Sequence, residues 1–330
     1  MTIATRFTEL VGCRLPVQQA GMGAASTPAL AAAVSNAGGL GMLSATADDL
    51  PAGIDTVVQA APGRPFGVNF LMPFFDRALF DAVVVRVPLV ECFWGQPEPV
   101  LVGVAHDAGA LAAWQVGSAD EARAAAAAGC DLIVVQGIEA GGHVRGTIGL
   151  LPLLDAVLDA VEVPVVAAGG IGTARGLAAV LAAGASAARI GTRFVATYES
   201  GIHPRYQQAL VAAAADDTVL TKTYSVGWPD APHRVLRSAV EAVEALADEF
   251  AGDDGDDGEP VLIPRFAVRP PDRGTRGRID AMALYAGQSV GAVRTITSAA
   301  EVVRELAEGA ERLLSAAACG SEAIRPVQTS

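Results

Sequence analysis

Short apolar runs alternate with alanine-rich, polar-faced segments through the first two hundred residues, and this alternation narrows the possible folds more than any other feature. The runs that read as strands are Leu15–Gln19, Leu40–Ser44, Phe66–Phe70, Leu89–Phe93, Leu111–Val116, Leu132–Gln136, Val163–Ala168 and Ala187–Gly191. Between them lie stretches with polar residues at helical spacing, among them Thr27–Ala37, Ser118–Ala128, Leu150–Ala160 and Thr173–Ala183. A strand that is apolar at successive positions, not only at alternate ones, is buried on both faces. When each such strand is followed by a helix, the sheet is parallel. Eight βα units predict an α/β fold, a (β/α)8 or TIM barrel; a doubly wound open sheet is the alternative and usually has fewer strands. The helix ends agree. Ser118 precedes Asp120 and Glu121, an N-cap followed by acids that suit the positive end of the helix dipole. Gly129 and Gly184 fall just past two helices, where a left-handed cap is needed.

After Phe194 the rhythm breaks. Residues 203–278 read as a mainly helical insertion, a lid over the barrel mouth after strand eight, with helices at Arg205–Ala215 and Val235–Phe250. The acidic run Gly252–Glu259 reads as a solvated loop, because the calcium-loop spacing with its twelfth-position glutamate is absent. From Ile279 a helical pattern returns, and Ala299–Ala318 predicts a closing amphipathic helix. The chain of 330 residues therefore divides into a barrel (1–202), the lid (203–278) and helices returning to the barrel wall (279–330).

Composition removes several function classes. Thirty-six acids against 23 bases leave no basic stripe to neutralise phosphates, so no nucleic-acid partner is expected. Lys222 is the only lysine, so Schiff-base chemistry has a single candidate. No run reaches the roughly 18 apolar residues of a membrane span. Met1–Leu10 lacks the apolar centre of a signal peptide, so a cytoplasmic protein is expected. Cys13, Cys92, Cys130 and Cys319 lie far apart, with neither a disulfide framework nor a metal knot, and the scattered histidines offer no metal cage.

Two glycine clusters end the last two strands: Ala168-Gly169-Gly170-Ile171-Gly172 and Gly191-Thr192-Arg193-Phe194. In a (β/α)8 barrel these loops commonly bind phosphate, because backbone N–H groups at a helix start attract an anion and glycine lets it approach. The turn after the first strand, Gln19-Ala20-Gly21-Met22-Gly23, is not a dinucleotide fingerprint but suits the side of a flat ring. Asn69, Gln115 and Gln136 place amides at three strand mouths, able to bond a flavin edge or its ribityl hydroxyls. The sharpest segment is Gln136-Gly137-Ile138-Glu139-Ala140-Gly141-Gly142-His143. A lone histidine is usually a surface or core residue. Here nearby glycines leave backbone space, and the expected position over the barrel suits a group that exchanges protons near neutral pH. His106, His203 and His233 lack that context. Tyr224–Pro229 in the insertion reads as packing of the lid more than as an aromatic wall to the substrate, and Tyr285, beside Gly287-Gln288, reads similarly, though better placed to face a bound flat ring.

The Gln-Gly-x-Glu-Ala-Gly-Gly-His segment resembles that of the nitronate monooxygenases, formerly 2-nitropropane dioxygenases. So do Gln19–Met22, Gly67-Val68-Asn69, Ala168–Ile171, Gly191–Phe194 and Gly287-Gln288. The resemblance implies a TIM barrel, FMN as cofactor, and nitronate oxidation by O2 to a carbonyl compound and nitrite. It places FMN phosphate on Gly169, Gly170, Gly191 and Thr192, next to Ala168 where relatives carry serine. Met22 and Gly23 would approach the reactive edge, Asn69, Gln115 and Gln136 would hold the ring or ribityl chain, and Gly141 and Gly142 would lie beside the ring. His143 matches the acid/base. Within the wider group the alternative is an NAD(P)H-dependent reductase of the quinone or enoyl-acyl-carrier-protein type. The partners expected are a small substrate and O2, with no metal and no membrane, and assembly as a homodimer is left open.

Overall fold

Each of the eight apolar runs carries one strand of a single parallel sheet. In chain order these are β1 (Val17–Gln19), β2 (Gly41–Ser44), β3 (Phe66–Leu71), β4 (Leu89–Phe93), β5 (Leu111–Val116) and β6 (Leu132–Gln136). After the short strand β7 (Gly142–His143), which pairs elsewhere, come β8 (Val165–Ala168) and β9 (Ala187–Ile190). The pairing order β1-β9-β8-β6-β5-β4-β3-β2 leaves β1 and β2 at the ends. Leu40 joins them: its carbonyl accepts from Gln19 N–H and its N–H donates to the Val17 carbonyl, both at 2.9 Å. The sheet is thus a nearly closed barrel. The computed structural model describes residues 3–46, 49–255 and 260–321.

Double burial of the strands is visible residue by residue. Val134 and Val166 point into the barrel with Leu40, Met42, Leu89 and Leu132. Their neighbours Ile133, Val135 and Val165 face outward against helix residues such as Leu153 and Leu177. Helix α1 (Arg6–Val11) contributes Phe7 to the interior cluster. The outer ring follows as α2 (Pro28–Ala37), α3 (Leu50–Ala60), α4 (Arg77–Val84), α5 (Pro99–Asp107), α6 (Ala119–Ala127), α7 (Leu150–Leu158) and α8 (Ala174–Ala182). Ser118 caps α6 as expected, its Oγ accepting from Glu121 N–H at 3.2 Å. No helix among the described residues is long and apolar enough to cross a membrane.

After the one-turn helix α9 (Thr192–Val195) the chain leaves the barrel. The insertion is not mainly helical. It holds α10 (Pro204–Ala212) and α11 (Arg237–Ala245), but also β10 (Thr218–Thr221), β11 (His233–Leu236), β12 (Phe250–Asp254), β13 (Val261–Pro264) and β14 (Thr275–Gly277). These form two antiparallel sheets, β10-β11-β7 and β13-β12-β14. The expected helix Val235–Phe250 is shortened at both ends, because Val235 belongs to β11 and Phe250 opens β12. Pairing with partners distant in sequence overrides local helical pattern here. The start of the acidic run is strand, not loop: Gly252–Asp254 lie in β12, and Asp254 accepts from Arg269 at 2.5 Å. Residues 256–259 of that run lie outside the described residues.

The insertion has its own core, with Tyr206, Tyr224, Val235, Val243, Ile263 and Met282, and that core continues through Leu284 to Val293. The chain then rejoins the wall with α12 (Ala299–Ser321), packed on α2 and α8.

Candidate functional site

Parallel strands put their C-terminal ends on one rim, and the residues singled out by motif gather there. Asn69 lies late in β3, Gln115 late in β5, and Gln136 and Ala168 end β6 and β8; the Met22-Gly23, Gly169-Gly170 and Gly191-Thr192 loops each follow a strand. The β1 loop crosses directly over Asn69: a Cβ on Gly21 would lie 2.5 Å from Asn69 Cβ. On Gly191 it would lie 3.6 Å from Met22 Sδ, so those two loops also meet.

Beneath the rim is a buried polar network that the motifs do not reveal. Glu91 on β4 and Arg189 on β9 form an ion pair, with side-chain exposures of 0% and 5%. Glu91 also accepts from Asn69 Nδ2 at 2.7 Å and from Gln18 Nε2 at 3.3 Å. Arg189 donates in addition to Gln115 Oε1. Arg189 Nε and Gln18 Oε1 are buried with no partner. The signal that could have found this pair is a single charge inside each of two apolar strands, Leu-Val-Glu-Cys-Phe and Ala-Ala-Arg-Ile, since buried charges are seldom left single.

His143 sits in β7, paired with His233 on β11 of the insertion. It is enclosed by aromatic rings. Trp228 stacks on it at 4.0 Å between centroids, Tyr285 lies at 5.6 Å, and Trp94 meets it edge-on at 6.0 Å. Its Nε2 is shut off from solvent and has no hydrogen-bond partner. Burial, helped by nearby His233, pushes its pKa down to about 3, so the imidazole is neutral near neutral pH. His233 is held in one tautomer: its Nδ1 donates to the Ala231 carbonyl at 2.9 Å and its Nε2 accepts from Tyr224 N–H at 3.3 Å. Trp94, missed from sequence, stands at φ 69°, a left-handed conformation that is strained for a bulky side chain. The Tyr224–Pro229 stretch divides. Tyr224 packs the lid, donating to the Ala239 carbonyl at 2.9 Å, whereas Trp228 faces His143 and so walls the site.

The glycines around His143 serve different ends. A Cβ on Gly141 would fall 2.4 Å from Gly287 N, so Gly141 is needed for the two backbones to cross, not to leave open space. Gly142, at φ 73°, has nothing within 4 Å of its would-be Cβ and does face open space. Thr192 Oγ1 accepts from Gly287 N–H at 3.0 Å, which ties the β9 loop to the same crossing. Gly169 packs toward the Gly137 carbonyl, 3.0 Å from its would-be Cβ. Two further candidates already have protein neighbours. Gln136 holds the histidine loop, its Nε2 donating to the His143 carbonyl at 2.9 Å and its Oε1 accepting from Arg145 N–H at 3.3 Å. The Ala168 side chain packs with the interior core of the barrel. Beside Gly170 and Thr173 a cleft of about 910 Å³ opens, flanked by Arg193, Gln288 and Arg294.

Taken together, the rim offers backbone N–H groups in two glycine loops, unfilled amide capacity on Asn69 and Gln115, and an enclosed neutral imidazole. The model of the nitronate monooxygenase family matches residues 4–78 and 72–309 of the chain. A nitronate monooxygenase from Pseudomonas aeruginosa is 33% identical, covering 92% of this chain and 98% of its own. A protein of Mycobacterium tuberculosis named (3aS,4S,5R,7aS)-5-hydroxy-7a-methyl-1-oxo-octahydro-1H-indene-4-carboxyl-CoA dehydrogenase is 40% identical over 253 residues, covering 74% of this chain and 69% of its own. Among solved structures, FabK from Thermotoga maritima matches with a TM-score of 0.80 at 30% identity, over 97% of this chain and 100% of that one. A nitroalkane oxidase from Streptomyces ansochromogenes matches at 0.73 and 32% identity, over 94% of this chain and 100% of that one.

Proposed function

Because the chain belongs to the nitronate monooxygenase family, an oxidoreductase family, we propose that it binds FMN at the barrel mouth and oxidises alkyl nitronates with O2 to a carbonyl compound and nitrite. The observation that carries the reading is His143 Nε2, a buried and unpartnered nitrogen enclosed by aromatic rings above the rim. Its Nε2 lone pair has no protein partner, so His143 is the group that takes the proton when a nitroalkane, not yet its nitronate, is bound; an anion bound beside the ring would raise the imidazole's proton affinity from the low value of the enclosed site. Trp228, Trp94 and Tyr285 keep water from that nitrogen.

The residues present fit a flavin mononucleotide. Backbone N–H groups of Gly169, Gly170, Gly191 and Thr192 suit its phosphate. Met22 and Gly23 would border the ring, Asn69 and Gln115 would offer it one acceptor and one donor, and open Gly142 would leave room beside it. When bound there, FMN would supply the redox chemistry between substrate and O2, while the protein supplies position and polarity.

A second reading is favoured by the relatives named as a CoA dehydrogenase, at 40% and 38% identity. In it the same site works on a CoA thioester, or as an NAD(P)H-dependent reductase of a quinone or enoyl thioester. Anaerobic mixing separates the two. Purified protein should carry a yellow FMN spectrum, and addition of an alkyl nitronate should bleach it while NADH does not. Rapid bleaching by NADH alone overturns the nitronate reading. His143→Ala is expected to keep FMN and lose turnover, and undiminished turnover removes the role assigned to His143.

A further inference from the structure

Asn69 and Gln115 each have one end of the amide tied down and the other free, and the tie in each case is a charge of fixed hydrogen-bonding sign. A carboxylate only accepts and a guanidinium only donates. Glu91 therefore receives the Asn69 amino group, at 2.7 Å, and Arg189 receives the Gln115 carbonyl oxygen. Neither amide can be turned round without setting two donors or two acceptors against each other. Asn69 Oδ1 and Gln115 Nε2 are left without a protein partner among the described residues, and neither is among the side-chain atoms that are both buried and unpartnered, so each keeps accessible surface near the C-terminal end of its strand, where the mouth lies.

We propose that Glu91 and Arg189 are positioning residues that fix the polarity of the mouth, presenting Asn69 as an acceptor and Gln115 as a donor to a planar ring bearing an N–H beside a carbonyl. That the ring is a flavin rests on the function proposed above; the polarity itself does not. The register explains how two charges reach both amides. Asn69 and Glu91 are partners in the β3–β4 ladder, and Glu91 pairs in turn with Ala113, two residues before Gln115 on β5. Arg189, from β9, bonds both Glu91 and Gln115. Gln18 Nε2, donating to Glu91 at 3.3 Å, occupies further capacity of the carboxylate. Packing alone would be met by apolar residues of similar volume, since a buried pair is often no more stabilising than such a replacement.

The test begins with side-chain amide hydrogen exchange by NMR on the flavin-free protein. Asn69 amino protons, held against Glu91, should exchange slowly and those of Gln115 fast. The reverse pattern overturns the proposal without any variant. In Glu91→Gln the charged guanidinium of Arg189, which can only donate, holds the new amide's oxygen, so its amino group is set against that of Asn69. The Asn69 protons should then become labile and FMN binding, read by flavin fluorescence quenching, should weaken by about ten-fold or more. The double variant Glu91→Gln with Asn69→Asp exchanges the two groups. The new glutamine donates to the new aspartate, charge is conserved, and an acceptor oxygen again faces the mouth, so FMN affinity should recover to within about three-fold of the original protein. Unchanged affinity in Glu91→Gln, or no recovery in the exchange variant, overturns the assignment. Slow Asn69 and fast Gln115 exchange in a protein that binds no FMN would leave the polarity standing and remove the cofactor reading.

Discussion

His143 should make the protein lose stability on mild acidification, and His143→Leu should remove that loss. Burial, with a smaller push from His233, lowers the folded-state pKa from the ordinary 6.5 to about 3. A histidine depressed in this way favours folding as the neutral base. Its contribution is complete above about pH 6.5, where folded and unfolded chains are both neutral. It falls away as the pH drops toward about 3, because only the unfolded chain takes up the proton in that window. The slope there is about 1.4 kcal/mol per pH unit. Integrated from about pH 7 to about pH 5, the loss assigned to His143 is about 2 kcal/mol. The assay is denaturant unfolding of the flavin-free protein and of His143→Leu at both pH values. Leucine fills the aromatic enclosure but cannot titrate. Subtracting the two acid-induced losses cancels every carboxylate common to both chains, and the original protein should lose about 2 kcal/mol more than the variant. A difference below about 0.5 kcal/mol would refute the reasoning, because His143 would then take up its proton in the folded state at an ordinary pH.

Further substitutions at four positions follow from contacts at the same rim. Trp228→Ala removes the stacked indole and rehydrates the imidazole, so the NMR titration midpoint of His143 should climb from about 3 to above about 4.5, and an unmoved midpoint would assign its burial to other rings. Gly141→Ala drives a methyl to 2.4 Å from Gly287 N and should cost roughly 3 kcal/mol, whereas Gly142→Ala meets only its left-handed backbone and should cost roughly 1–2 kcal/mol. Thermal unfolding that ranked the two the other way would contradict the backbone crossing. Thr192→Val leaves the Gly287 N–H without its acceptor and should destabilise by about 1–3 kcal/mol, with Thr192→Ser close to the original protein; equal effects of Val and Ser would remove the bond from the account.

The barrel is legible in the chain because its signal is local. A strand buried on both faces must be apolar at successive positions, and Leu132–Gln136 or Val165–Ala168 are so whatever surrounds them. His143 was legible for a similar reason: a glycine-rich stretch at a strand end marks a backbone with special demands, although Gly141 answers a crossing and Gly142 a space. What escaped notice depends on partners remote in sequence. Glu91 and Arg189 lie 98 residues apart, and each is unremarked alone. The lid strands are three to five residues long, too short for a period-two pattern, and β11 is a strand because β7 and β10 lie beside it. Trp228 reads as packing from its own neighbours, and it does pack, but against the imidazole.

Those remote partners also change what the insertion is. The loop carrying His143 is held by the insertion at several points. Arg234 Nε and Nη2 donate to the Ile138 carbonyl at 3.2 and 2.9 Å, Val144 N–H donates to the Pro232 carbonyl at 2.8 Å, and His143 and Gly142 pair with His233 and Arg234. Within the barrel, Gln136 grips the same loop, and Glu121 of α6 accepts from Arg145 Nε at 2.6 Å. The imidazole is thus carried on a ribbon shared by the two cores, and the ring that shields it, Trp228, comes from the segment between β10 and β11. A barrel with the insertion removed would keep its rim amides and glycine loops, yet it would lose both the strand that fixes the imidazole and the indole that keeps it neutral. On the function proposed above, ring binding and proton transfer would therefore draw on different parts of the chain. Substitutions in β11 should impair the second before the first.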